Sequence, residues 1–359
     1  MRALMRHIKL IITQILTITE VGSTISGSSK YYSTTLAPNG NFYCVPLSAT
    51  YSLKIDPTTD TTSLLSNSFS LASTYGRFVG SVLAPNGMIY YIPMTEPRVF
   101  KLDPTTEIET AIGTTYHTSA TSSKWQGGAL AENGMIYCAC FGGTVTQILK
   151  INPTTDTTSL VGASLGAGNK ISGACCAPNG MIYFAPRKTS KIVMLDPTTE
   201  IISYVGTDYG GAENKWFANQ LALNGMIYFI PHDYGRVMKL DPTTNTTTLI
   251  GSLITGTYRT AVLGLNGKIY CLPFTTNDIL EIDPYTDTTR IFTDAIIQGR
   301  DSVKGNIALN GNLYFVPLDS DKVIVLNIDS PNLVGTDAIM PADLADLATS
   351  NYNKYYNKF

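Results

Sequence analysis

Seven cations recur at one place in a repeating unit of this 359-residue chain, most of them beside an aromatic ring. Lys30, Arg77, Lys124, Lys170 and Lys215 each lie ten residues before the glycine of an Asn-Gly pair, and Arg259 and Arg300 fall within a residue or two of that spacing. Tyr31, Phe78, Trp125, Trp216 and Tyr258 stand next to them. Converging cations focus a field on an anion, and flat aromatic faces stack on sugars or hold cations. The twelve residues together are expected to form a basic and aromatic binding face for an anionic or glycan partner. On that reading, alanine at Lys124, Trp125, Lys215 and Trp216 abolishes binding and leaves the melting temperature nearly unchanged.

The elements that carry these residues follow from internal repetition. Asn-Gly recurs with its glycine at 40, 87, 134, 180, 225, 267 and 311, at spacings of 42 to 47 residues. Every copy has a tyrosine three residues on: Tyr43, Tyr90, Tyr137, Tyr183, Tyr228, Tyr270 and Tyr314. Asp-Pro-x-Thr follows at Asp56, Asp103, Asp196, Asp241 and Asp283, with Asn152 in the third copy and a divergent Asn327-Ile328-Asp329 in the seventh. Asn-Gly supplies the positive φ angles of a tight hairpin, and an aspartate before proline accepts a local N–H in a turn. Each unit therefore reads as four short strands; in the fifth these are 218–223, 226–230, 236–240 and 246–250. Nothing carries a helical period. Such meanders bury both faces only when packed in a ring, so the expected fold is all-β: a seven-bladed β-propeller of four-stranded antiparallel blades. Leu16 to Val21 matches the fourth strands and is expected to close the seventh blade, with 332–335 as a competing candidate. The chain thus divides into an N-terminal segment at 1–22 holding the closing strand, the propeller at 23–330 and a C-terminal tail at 331–359.

The repeat resembles the YVTN and NHL families of propeller units. The phrase Pro-Asn-Gly-x-Ile-Tyr followed by Ile-Asp-Pro-x-Thr is similar to tandem repeats in uncharacterised bacterial, algal, large-virus and phage proteins. That resemblance covers residues 30 to 330 and implies the fold without bringing catalytic residues. It also implies a setting: a structural component of a larger assembly, a virion among them.

Enzymatic chemistry is expected to be absent. The innermost strands read as Ser33 to Leu36, Gly80 to Leu83, Gly127 to Leu130, Gly173 to Cys176, Ala218 to Leu221, Thr260 to Leu263 and Gly305 to Ala308, with no Asp, Glu or His. A metal centre needs convergent carboxylates or imidazoles, and covalent catalysis needs a nucleophile with its base. No cofactor and no metal are expected. The alternative is a lyase or hydrolase using His117, His232 or Glu213, an acid–base set of the kind carried by streptogramin lyase-like propellers.

In an antiparallel meander the Asn-Gly and Asp-Pro turns share one face, the lower. Ten carboxylates gather there: the Asp-Pro series and a second one at Asp60, Glu107, Asp156, Glu200 and Asp287. Opposite charges at the two poles would permit head-to-tail stacking, and the acidic face or the tail would attach the module to a protein partner. A net charge of -2 with 14% charged residues argues against nucleic acid, and 44% hydrophobic content supplies a core. Neither a convincing signal peptide nor a membrane span is found. Cys44, Cys138 and Cys271 occupy one site in three different units, too far apart to bridge, so the six cysteines are expected as buried thiols in a chain that folds in the cytoplasm.

Overall fold

In the computed structural model the described residues are 16–69, 76–116, 123–142, 145–168, 170–211, 214–294, 296–297 and 302–328. They form seven antiparallel sheets of four strands each. The inner strands are Tyr31–Leu36, Phe78–Leu83, Trp125–Leu130, Ile171–Cys176, Trp216–Leu221, Val262–Leu263 and Ser302–Ile307. Blade 7 is completed by Leu16–Val21, which pairs with Val323–Ile328 from Leu16 opposite Ile328 to Val21 opposite Val323. The N-terminal strand therefore closes the ring; the competing candidate at 332–335 lies outside the described residues, as does the tail. No helix among the described residues is long and apolar enough to cross a membrane. All six cysteines are buried and unbridged.

The repeated residues mark the joints between blades. In blade 1, Asn39 Nδ2 donates to Tyr43 Oη at 3.0 Å and to the Pro104 carbonyl of blade 2 at 2.9 Å. Tyr43 Oη donates in turn to Pro104 O and to Glu107, both at 3.2 Å. Tyr90, Tyr137, Tyr183 and Tyr228 repeat the contact with Pro153, Pro197, Pro242 and Pro284, and Tyr314 of blade 7 reaches Pro57 of blade 1. The Asp-Pro turns are built as expected: Asp56, Asp103, Asp196 and Asp241 each accept a backbone N–H two residues on, at 2.8 Å. These N–H groups hold all four carboxyls below the ordinary aspartate range.

Around the axis the inner strands approach closely. Gly80, Gly127 and Gly173 take positive φ at one equivalent position, and a Cβ at Gly127 would lie 3.1 Å from Gly173 Cα. Only a residue without a side chain fits between these backbones. Gly127→Ala is expected to destabilise the ring by about 1–3 kcal/mol, because backbone cannot move aside as a side chain can. Gly40→Ala has positive φ but open space around it; its cost is limited to about 1–2 kcal/mol. Thermal melts of the two variants check the order, and equal costs would refute the packing argument.

One buried carboxyl sits between blades 1 and 2. Glu109 accepts from Tyr91 Oη at 2.9 Å and from Ser52 Oγ, and the Asn67 side chain is a third polar neighbour. Burial raises its pKa, opposed by those hydrogen bonds. The folded protein thus holds a proton that the unfolded chain releases, so Glu109 favours folding at low pH and loses that contribution as pH climbs through its raised pKa. Glu109→Gln is expected to melt higher than the wild type above that window and to flatten the pH dependence. Melts from pH 4 to 8 with unchanged slope would reject the assignment.

Candidate functional site

The structure withdraws most of the expected binding face from solvent. The inner strands of blades 1 to 5 begin two residues earlier than the sequence reading placed them, so Tyr31, Phe78, Trp125 and Trp216 are strand residues. Each is essentially buried, as are Lys30, Arg77, Lys124, Lys215 and Tyr258. Trp125 Nε1 donates to Gln147 O at 3.0 Å and Trp216 Nε1 to Arg236 O at 2.9 Å, with Tyr116 and Tyr209 edge-on against the two indoles. The cations cap backbone carbonyls: Lys30 donates to Gly27, Arg77 to Ala49, Lys124 to Thr95 and Lys215 to Gly210. Ala49 and Thr95 belong to the preceding blade, so Arg77 and Lys124 fasten neighbouring blades. Burial lowers the Lys124 pKa to about 8, against the pull of Glu96. Lys170 and Arg259 stay half-buried. Arg300 lies outside the described residues, as do His117 and Glu213.

The expected charge separation is also revised. In the second acidic series Glu107 pairs with Lys54 at 2.7 Å and Glu200 with Lys150 at 2.5 Å, while Asp156 and Asp287 pair with Lys101 and Lys239. Third-strand lysines thus offset much of the lower-face charge. Sequence reading assigned these lysines no role.

A different set of residues meets at the upper mouth of the ring. Backbone bonds there run from blade to blade: Arg77 N donates to Leu47 O, Met94 N to Arg77 O, Lys124 N to Met94 O and Phe141 N to Lys124 O. This ladder fixes the residue seven positions after each repeat glycine, namely Leu47, Met94, Phe141, Arg187, His232, Phe274 and Leu318. The inner strands of blades 1, 3 and 5 break register at Tyr32, at Gln126-Gly127 and at Phe217. Such bulges re-aim side chains, and here Gln126 Nε2 reaches Tyr32 Oη, two blades away, at 2.5 Å. Tyr32, Val79, Phe141, Phe217 and Leu318 share one buried apolar cluster. The mouth is capped by this cluster where an open funnel was expected.

Two guanidiniums are set into the cap. The Arg187 guanidinium carbon lies 4.6 Å from the Phe141 ring centre and 5.2 Å from that of Phe217. Arg259 lies 4.8 Å from Phe217 and 3.3 Å from Phe274. His232 stacks on Phe217 and accepts from Arg259 at Nε2, 3.3 Å away, with its Nδ1 2.6 Å from Asp233. Burial first, then the arginine charges, lower the His232 pKa against the pull of Asp233, so the ring is neutral near pH 7. Arg187 Nε donates to Asn214. Arg187 and Arg259 thus lie on an aromatic bed with His232 and its partner Asp233 alongside, an arrangement suited to an anion with a flat or apolar body.

Of the predicted binding residues, only Arg259 belongs to this cluster, and His232 joins it from the alternative reading. Tyr32, Phe141, Phe217 and Phe274 were missed. Their signal was present as alignment columns eight before and seven after the repeat glycine, where residue types vary most.

The sequence matches no known family model and no curated protein. Among solved structures, virginiamycin B lyase from Staphylococcus aureus superposes with a TM-score of 0.73 at 11% identity, covering 88% of this chain and 100% of that one. A streptogramin B lyase gives 0.70 at 14% identity, with 88% and 98% covered. The extracellular domain of a hybrid two-component system from B. thetaiotaomicron gives 0.65 at 10%, covering 87% of this chain and 40% of that one. At these identities the likeness is one of fold.

Since the tryptophans are core, Trp125→Ala and Trp216→Ala are each expected to cost about 3–5 kcal/mol. A melt showing no change would restore the exposed-face reading.

Proposed function

We propose that the protein is a non-catalytic binding module, and that its ligand is an anionic group on a glycan or protein partner, held at the cap by Arg187 and Arg259. The observation that supports this reading is the pair of guanidiniums sharing the Phe217 ring at the mouth. Guanidinium is the cation best suited to planar, two-point recognition of carboxylate, sulfate or phosphate. Phe141, Phe217 and Phe274 hold the two heads in place, which limits the side-chain ordering that binding would otherwise require. Placement within a larger assembly, a virion among them, is carried by the repeat resemblance alone.

The test is titration of the full chain with a sulfated disaccharide by calorimetry. Arg187→Met with Arg259→Met is expected to weaken binding at least tenfold, about 1.4 kcal/mol, while the wild type shows a steep salt dependence. The pH dependence has a defined sign. His232 is neutral at pH 7, and protonation on acidification adds a third positive charge beside the ligand. Affinity is expected to rise as pH falls below the ordinary histidine range, and His232→Gln removes the rise. Binding indifferent to both arginines would defeat the proposal.

A further inference from the structure

The position seven residues before each repeat glycine holds Ser33, Gly80, Gly127, Gly173, Ala218, Thr260 and Lys304. Six are small because the inner strands crowd the axis there. The seventh is a lysine, placed by the register break of blade 7 between Val303 and Gly305. Lys304 lines an axial cavity of about 40 Å³ with Thr34, Asn219, Thr260, Asn306 and Arg259, room for about three waters. Its charge is felt at the Cys138 thiol of blade 3, across the ring. Among the described residues no carboxylate lines this cavity and none accepts a hydrogen bond from the Lys304 amine. Asn219 Oδ1 on the same wall is buried and has no donor among the described residues. Lys124 is buried and donates to a carbonyl; Lys304 is half-buried on the cavity wall.

We propose that Lys304 is a covalent capture site for a small 2-oxo acid, the amine taking the carbonyl carbon while Arg259 holds the carboxylate. This rests on the anion-binding reading of Arg259 and extends it inward. The neutral amine attacks the carbonyl carbon, the carbonyl oxygen takes up a proton, and the carbinolamine loses water to leave a protonated imine. No oxidant or reductant is needed. An amine desolvated beside another cation is the arrangement that activates a lysine nucleophile. Burial lowers the Lys304 pKa to about 8, which leaves a sizeable neutral fraction at physiological pH. Asn219 Oδ1 is the available acceptor for the N–H of the imine.

The full chain is incubated with glyoxylate, reduced with borohydride, and mapped by peptide mass spectrometry. One reduced adduct is expected at Lys304, at least tenfold above the part-exposed loop lysines Lys188 and Lys191, with a labelling rate that rises through pH 8. Propionaldehyde, which lacks the carboxylate, is expected to label Lys304 at least fivefold more slowly, and Arg259→Met to erase that preference. In Lys304→Arg the dominant adduct disappears. Labelling of Lys304 no faster than Lys188, or equal rates with glyoxylate and propionaldehyde, overturns the inference. The sulfated disaccharide titration is scored separately, so a failure here is distinguishable from failure of the cap as an anion site.

Discussion

The ring is held by a tyrosine hydroxyl that leaves its own blade. From Tyr43 to Tyr228, and again at Tyr314, the phenol reaches the carbonyl of a turn proline in the next blade, and an asparagine amide from the Asn-Gly hairpin meets the same carbonyl in five of these joints. Buried polar groups must be paired, and here the pairing is possible only when two blades are side by side. The acceptor turn is shaped for the purpose. Asp60, Glu107, Asp156, Glu200, Asn245 and Asp287 adopt left-handed φ near 55–58°, which brings the side chains of all but Glu200 to the incoming phenol. Asn-Gly, tyrosine and Asp-Pro-x-Thr are therefore three parts of one intermolecular-style joint that happens to lie within a single chain.

Fixing the lower half this way frees the upper half. Many of the mouth loops start from backbone bonds between neighbouring blades, so side chains there vary without endangering closure. Blades 7, 1 and 2 contribute Leu318, Leu47 and Met94, while blades 3 to 6 contribute Phe141, Arg187, His232 and Phe274. The cap is thus two-sided, apolar on one flank and cationic with aromatics on the other. Binding groups on a rigid scaffold follow the usual division of labour between loops and framework.

Architecture was legible in the sequence because turn chemistry is local: Asn-Gly and Asp-Pro declare their conformations within four residues. The number of blades, the closing strand and the buried thiols all followed from counting. The site was not legible for two physical reasons. A β-bulge moves a side chain to another face without any change in composition, so Tyr32 and Phe217 read as ordinary strand starts. Lysine is also ambiguous, since its ammonium caps a buried carbonyl as readily as it meets solvent. Lys30, Lys124 and Lys215 do the former, and periodicity could not distinguish the two.

The pairing of Leu16–Val21 with Val323–Ile328 also orders events during synthesis. The first of the described strands waits for a partner translated more than 300 residues later. Until then blades 1 to 6 can form, but the torus is a horseshoe with a raw flank at each end, and unpaired strand flanks invite foreign strands. Closure thus follows blades 1 to 6, and a nascent chain stalled before Val323–Ile328 is made would be the form most prone to stick to its neighbours.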